Sequence, residues 1–178
     1  MKYLILTITA LFMFTACSDD DHPVHYASDY TTFVYTVDAA SWNEYSDAPG
    51  YFATINAPEI NYDILDYGYF LTYLNIGSER DPNYIELPQT QVYTDENGIT
   101  YSIELVPSYS FEKVTIEYFD THPDGVIFPQ FDYSFRTVII SEPYIINGIK
   151  SGEINTDYES VVNEMQKNNI EVNTIDYQ

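Results

Sequence analysis

The chain has 178 residues, of which 28 are Asp or Glu and only 6 are Lys or Arg, so its formal net charge is -22. Nucleic acids and anionic lipids are bound through Lys and Arg, and this balance therefore excludes a nucleic-acid-binding protein and a basic lipid-binding patch. Hydrophobic residues make up 45% of the chain, including 19 Tyr and 10 Phe. That content is typical of a folded protein, and the length suits a single domain.

The first 16 residues have the form of a signal peptide. Lys2 precedes the uncharged stretch 3–16, which is too short for a membrane-spanning helix of about 20 apolar residues. The stretch ends with Phe14-Thr15-Ala16 and is followed by Cys17, the only cysteine of the sequence. Small residues directly before a cysteine resemble the lipobox of bacterial lipoproteins, although Phe14 stands where Leu is most common. An ordinary secretory signal followed by an incidental cysteine is the alternative.

The lipobox resemblance implies that Cys17 is lipidated and becomes the N-terminus of the mature protein. No thiol then remains for a disulfide. The segment that follows, Ser18, Asp19, Asp20 and Asp21, resembles the acidic export signal of surface lipoproteins of the Bacteroidota. Residues 17–29 are therefore expected to form a lipidated, acidic, flexible tether. We expect a protein anchored by lipid in the outer membrane and facing the cell exterior.

Residues 30–178 are predicted to form one β domain. Apolar and polar residues alternate with a period of two over several short segments, and Pro, Gly and Asn lie between them. This pattern predicts a single antiparallel β-sandwich, Ig-like or jelly-roll-like. The predicted strands are 33–37, 51–56, 69–75, 84–87, 89–94, 99–105, 113–118, 131–136 and 170–175.

One hairpin has a predicted register. Asn97-Gly98 favours a two-residue type I′ turn, because both central positions of that turn need a positive φ. Counting outward places Thr94 opposite Tyr101 and Val92 opposite Ile103.

Two helices are predicted, a short internal one and a C-terminal one. The first has Asn56 as its N-cap, Pro58 near its start and Gly68 at its end. The second begins with a capping box in which Thr156 is the N-cap and Glu159 reaches back to it. It continues to Asn168-Asn169, and its apolar stripe consists of Tyr158, Val161, Val162 and Met165.

The segment Thr36-Val37-Asp38-Ala39-Ala40-Ser41-Trp42 resembles the Thr-Val-x-Ala-x-x-Trp opening of small uncharacterised surface lipoproteins of the Bacteroidota. Further short matches follow in the expected order: Gly50-Tyr51, Ala57–Ile60, Leu71–Leu74, Leu87-Pro88 and Phe135–Ile140. The resemblance supports the fold and the location and implies no activity. Trp42 is predicted to be a core residue.

Catalytic motifs are missing from the sequence. The predicted domain has one histidine, His122, and no Gly-x-Ser-x-Gly, His-Glu-x-x-His or Cys-x-x-Cys motif, so a hydrolase triad and a zinc site are disfavoured. We expect no enzyme and no cofactor. If a metal binds, Ca²⁺ is the better candidate because it prefers acidic loops, and Asp120 and Asp124 are the weak candidate ligands.

Tyrosine excess is the remaining functional clue. Exposed Tyr beside Asp and Asn is the surface that a sugar-binding protein uses, although Tyr also has a high β propensity and fills cores. The leading hypothesis is a non-catalytic binding module for a glycan or a protein, and the alternative is a structural or assembly subunit of a pilus-like or envelope scaffold. A hydrolase that uses a carboxylate pair ranks third. The candidate ligand-binding aromatics are Tyr45, Tyr51, Tyr62, Tyr67, Tyr69 and Tyr73.

Overall fold

The computed structural model describes residues 30–78, 80–125, 127–169 and 172–177. These residues form a mainly β protein with two sheets and a few helices, which confirms the predicted β-sandwich. The signal peptide 1–16, the lipidation site Cys17 and the tether 17–29 lie outside the described residues.

The first sheet, sheet A, has five strands in the order β10–β1–β9–β4–β5. Neighbouring strands run antiparallel, except that β10 pairs in parallel with β1. The strands are β1 (Tyr30–Val37), β4 (Tyr69–Asn75), β5 (Tyr84–Glu86), β9 (Tyr133–Ile140) and β10 (Val172–Tyr177).

The second sheet, sheet B, has five antiparallel strands in the order β2–β3–β8–β7–β6. A single turn of 3-10 helix, Ala39–Ser41, leads from sheet A into it. Its strands are β2 (Asn43–Glu44), β3 (Tyr51–Asn56), β6 (Gln89–Thr94), β7 (Thr100–Ser110) and β8 (Lys113–Asp120).

The sandwich core lies between the inner faces of the two sheets. Alternate residues of the strands fill it, among them Leu105, Ile116 and Phe135, all of which are buried. The ring of Trp42 packs edge-on against Tyr118 of sheet B and Tyr133 of sheet A, with centroid distances of 5.8 and 5.9 Å. Trp42 is 5% exposed, which confirms its predicted place in the core.

A layer of helices covers the outer face of sheet A. It consists of α2 (Pro143–Ser151) and α3 (Tyr158–Lys167), whereas α1 (Tyr62–Tyr67) lies between β3 and β4 in the chain. Helix α2 was not predicted. A second buried cluster joins the helices to the outward residues of β4 and β9: Leu71, Tyr73, Val138, Ile140, Ile145, Ile146, Ile149, Val161 and Met165. The molecule therefore has three layers, with sheet A in the middle.

Both predicted helix starts were misplaced. Helix α1 is capped by Asn61, whose side chain accepts a hydrogen bond from the Ile64 amide (2.9 Å), because Asn56 still belongs to β3. Helix α3 is capped by Asp157, which accepts one from the Ser160 amide (2.8 Å). The predicted cap of α3, Thr156, instead bonds to Glu86 of β5.

The predicted register of the β6–β7 hairpin was wrong by one residue. Thr94 pairs with Thr100 and Val92 with Ser102. Asp95 Oδ1 accepts the backbone amides of Asn97 (2.9 Å) and Ile99 (2.7 Å), and Gly98 has φ 81°. This geometry makes a three-residue loop, 96–98, in place of the two-residue turn. A slip of one residue exchanges the faces of a strand, so Val92 is 70% exposed.

The direction of β1 defines the two ends of the sandwich. Tyr30 starts the strand at one end, and Val37 finishes it at the other, where it pairs with Tyr133. Trp42 brings Tyr118 of β8 to the same end. We call these the Tyr30 end and the Val37 end.

Candidate functional site

An aromatic pocket of about 190 Å³ opens at the Val37 end, between the sheet ends and the loop 121–132. Tyr118 and Ile103 lie at its base and are almost fully buried, whereas Phe131 stands at its rim with 73% of its surface exposed. The pocket brings together strands that are distant in the chain. Its aromatic lining residues are Tyr93, Tyr101, Tyr118, Phe128, Phe131 and Tyr133.

Asp120, the last residue of β8, organises the loop that closes the pocket. Its Oδ2 accepts the Ile127 amide (2.6 Å) and its Oδ1 accepts the His122 amide (3.1 Å). At the far end of the loop, Asp132 Oδ1 accepts the Ala39 amide (2.8 Å). These bonds hold both ends of the loop to the sandwich and present Phe128 to the ring of Tyr51, at a centroid distance of 5.1 Å.

Three tyrosine hydroxyls of the pocket, those of Tyr101, Tyr118 and Tyr133, make no hydrogen bond to another described residue. Burial, with a smaller contribution from the nearby Tyr93 and Tyr101, raises the pKa of Tyr133 to about 12. Burial likewise raises the pKa of Tyr118. Tyr118 and Tyr133 therefore stay protonated at neutral pH and can donate a hydrogen bond to a ligand.

The pocket lies in a negative electrostatic environment. Asp120 adds to the burial effect that raises the pKa values of Tyr118 and Tyr51. Asp95 lies 3.7 Å from His122, whose ring packs edge-on against Tyr101. The backbone amide of Ile99 holds the pKa of Asp95 below its usual range, so this group is ionised at neutral pH. None of the described lining residues is Lys or Arg.

The six tyrosines singled out from the sequence do not form one surface. Tyr73 is fully buried between sheet A and the helices, and its hydroxyl donates to the Thr156 carbonyl (2.7 Å). It is therefore a core residue, and its assignment as a ligand-binding aromatic was wrong. Tyr69 packs against the same buried cluster.

The other four are scattered over the molecule. Tyr45 packs against Phe52 with its ring tilted, on the outer face of sheet B, and its hydroxyl donates to Glu117 (2.8 Å). Tyr62 and Tyr67 are exposed residues of α1, 67% and 55% respectively. Only Tyr51 lies beside the aromatic pocket, through its contact with Phe128.

The candidate calcium ligands are not brought together. Both carboxylate oxygens of Asp120 accept backbone amides, and Asp124 is exposed. Within the described ranges, no group of three or more His, Cys, Asp or Glu side chains is placed to hold a metal ion. Asp120 therefore acts as a structural residue of the loop.

Sequence reasoning missed the pocket itself. Phe131 was assigned to an alternating strand, but β9 begins at Tyr133. The segment that could have indicated the site is Phe128-Pro129-Gln130-Phe131. It is mostly apolar, it contains a proline, and its apolar residues do not alternate with polar ones as in a strand. Such a segment between two strands is typical of a loop whose exposed apolar side chains contact a ligand or a partner.

The described residues thus define a three-layer β-sandwich with an aromatic pocket at one end. No family model, curated protein or solved structure matches the chain. Within the described part of the chain, no helix has both the length and the apolar character needed to cross a membrane.

Proposed function

We propose that the protein is a lipid-anchored, non-catalytic binding module of the outer membrane, displayed toward the cell exterior, and that it binds a glycan in the aromatic pocket. The observation that carries the proposal is the pocket itself. Six aromatic rings surround it, and three of its hydroxyl groups have no partner among the described residues.

The chemistry of the pocket suits a sugar. Ring faces at the rim, such as those of Phe131 and Tyr93, offer apolar surfaces on which the C–H groups of a pyranose stack. The phenol hydroxyls at the base replace water as partners of the sugar hydroxyls. A volume of about 190 Å³ is below the roughly 300–1,000 Å³ of drug-sized ligand sites, so we expect one terminal or branching sugar unit to enter.

The orientation of β1 supports the proposed display. The lipobox resemblance places the anchor at Cys17, and the chain from that anchor enters the domain at Tyr30. The pocket lies at the Val37 end, on the far side of the sandwich. β1 has eight residues, which separates the two ends by about 25 Å. The pocket therefore lies at the end of the domain away from the point where the proposed tether joins it.

An assembly subunit is the second candidate, and strand β6 favours it. Gln89–Thr94 is an edge strand without a charged residue, and Val92 on it is 70% exposed. Uncharged edges of this kind can pair with a strand from another chain. This candidate predicts concentration-dependent oligomers that a charge introduced by Val92→Lys abolishes.

A glycan array tests the leading proposal. We expect the Cys17→Ser protein, which lacks the lipid, to bind a defined set of glycans. Phe131→Ala and Tyr93→Ala should each weaken that binding at least about fivefold, because they remove exposed stacking surfaces without opening the core. Tyr62→Ala is the matched control, since Tyr62 is an equally exposed ring that stacks on Phe111 and should leave binding unchanged.

Two results would contradict the proposal. One is the absence of glycan binding by the folded protein. The other is glycan binding that Tyr62→Ala weakens as much as Phe131→Ala does, which would place the site elsewhere.

A further inference from the structure

The pocket has two features that together attract a positive charge, which a neutral sugar lacks: nearby negative charge and several aromatic ring faces. The first is electrostatic. The described lining residues include no carboxylate, but the loop 121–132, of which residues 127–131 line the pocket, carries Asp124 and Asp132 and follows directly after Asp120. Asp95 Oδ2 lies 3.7 Å from Nε2 of His122 in the same loop. No described lining residue is a base, and Lys113, the one Lys of β8, lies at the opposite end of that strand.

The second feature is the crowding of ring faces. Tyr93 stacks beside Tyr101 at a centroid distance of 5.9 Å, and Phe131 and Phe128 rise from the loop beside them. The face of an aromatic ring carries a negative quadrupole that attracts cations. Neighbouring carboxylates and an overall charge of -22 add to this attraction.

We infer that the pocket selects a glycan unit that carries a free, protonated amino group, that is, a cationic amino sugar. This inference rests on the proposed glycan binding and names the class of sugar. The pyranose ring stacks on the aromatic rim, while the ammonium group is attracted to the ring faces and, over a longer distance, to the carboxylates of the neighbouring loop and turn. Acetylation of the amine removes the charge and should remove the preference.

Three monosaccharides that differ at one position test the inference: the methyl glycosides of glucosamine, N-acetylglucosamine and glucose. Binding to the full mature chain with Cys17→Ser is followed by NMR chemical shifts at pH 6 and low salt. We expect the glucosaminide to bind at least about threefold more tightly than the two neutral sugars. The difference should shrink as salt screens the charges.

Two pairs of variants separate the pocket from the general charge of the protein. Asp124→Asn removes an exposed carboxylate from the pocket loop and should reduce the preference, whereas Asp66→Asn removes an exposed one from α1 and should not. Phe131→Ala should abolish the preference, because the ring is lost while the charge is kept, and Tyr62→Ala should preserve it.

Equal affinity for the three sugars, or tighter binding of a neutral one, overturns the inference and leaves the proposed glycan binding intact. A preference that persists in Phe131→Ala also overturns it, since non-specific attraction then explains the result. If none of the three sugars binds, the inference is wrong. The glycan array then decides separately whether the proposed function survives.

Discussion

A chain of buried hydroxyl groups joins the two sheets at the residue level. Tyr35 of β1 bonds to Thr137 of β9 (2.9 Å), Thr137 to Thr72 of β4 (2.7 Å), and Thr72 to Tyr109 of β7 (2.7 Å). The two threonines are no more than 1% exposed. Buried polar groups are tolerated when each has a partner, and this chain gives every member one.

Thr137→Val should lower the free energy of unfolding by about 1–3 kcal/mol, because the isosteric change removes the buried hydrogen bonds of the Thr137 hydroxyl to Tyr35 and to Thr72. Thr54→Val is the control. Thr54 also bonds to a threonine across strands, Thr115 at 3.2 Å, but on the exposed face, so its change should be within about 0.5 kcal/mol. Urea denaturation measures both variants, and equal effects would show that the buried chain contributes nothing of its own.

Alternation could not reveal this hydroxyl chain. Thr72 and Thr137 occupy the polar positions of alternating strands, which would be solvent-exposed in a sheet covered on one face only. They are buried because sheet A is covered on both faces, by sheet B and by the helices. Trp42 could be predicted because an indole after an alternating strand is rarely left in solvent. The sequence predicts that Asp120 is a loop residue, but it is the last residue of β8. Its backbone partners, like those of Asp95, depend on turn geometry that composition does not specify.

The helical layer is the largest element-level feature that the sequence predicted only in part. Arg136 of β9 helps to join it to sheet A. Its guanidinium lies over the rings of Tyr84 (4.9 Å) and Tyr158 (5.1 Å) and donates to the Tyr158 hydroxyl. One cation between two rings thus connects β5, β9 and the start of α3.

Replacing each of the two valines of the α3 stripe by alanine should have a different effect on stability. Val161 is fully buried against sheet A and α2, whereas Val162 is half-buried. Val161→Ala should therefore destabilise the protein by about 2 kcal/mol, and Val162→Ala by less than about 1 kcal/mol, because only the first leaves a closed cavity. Thermal unfolding tests this order. Negligible effects of both would mean that α3 does not support sheet A.

Helix α3 was predictable because its apolar residues recur with helical spacing. Helix α2 was not, because it begins only three residues after the apolar end of β9 at Ile140, so that its apolar residues Ile145 and Ile146 lie close behind an apolar strand in the sequence. Its start at Pro143 and its end before Gly152, with φ 77°, are the local signals that mark it. The parallel pairing of β10 with β1 joins residues that are far apart in the sequence, and no local sequence pattern predicts it.

Tyrosine burial dominates the pH dependence of the whole molecule at alkaline pH. Burial raises the pKa of Tyr109 and of Tyr133 to about 12 and raises that of Tyr35, Tyr73 and Tyr118 as well. The folded state therefore holds these protons more tightly than the unfolded state, in which Tyr has a pKa near 10.

The sign of the effect follows from this difference. The contribution of each tyrosine is fully present below about pH 10 and is lost as the pH rises toward the folded value. Stability should fall above about pH 10, by up to about 1.4 kcal/mol per pH unit for each such tyrosine. Urea denaturation between pH 9 and 11.5 measures the slope. Tyr109→Phe should make it shallower, because it removes one of the tyrosines whose pKa burial raises. A constant stability over this range would contradict the prediction.

The proposed anchor makes a prediction for the whole protein in the cell. Cys17→Ser removes the proposed lipidation site, and a chain with a net charge of -22 is not attracted to anionic membranes by its charge. The variant should move from the membrane pellet to the soluble fraction, whereas Ser18→Ala, which keeps the cysteine, should stay in the pellet. A Cys17→Ser protein that remains in the membrane pellet would refute the lipoprotein hypothesis.

The direction of β1 also has a mechanical consequence. A bound ligand at the Val37 end and an anchor beyond the Tyr30 end would pull the domain along the axis of β1. The hydrogen bonds that join β1 to β9 and to β10 lie across that axis, so the load is shared among them at once in shear. Bonds loaded one after another, as in peeling, would break at lower force. If the proposed anchor and the proposed ligand site are both correct, β1 is therefore the strand best placed to resist being pulled out of the domain.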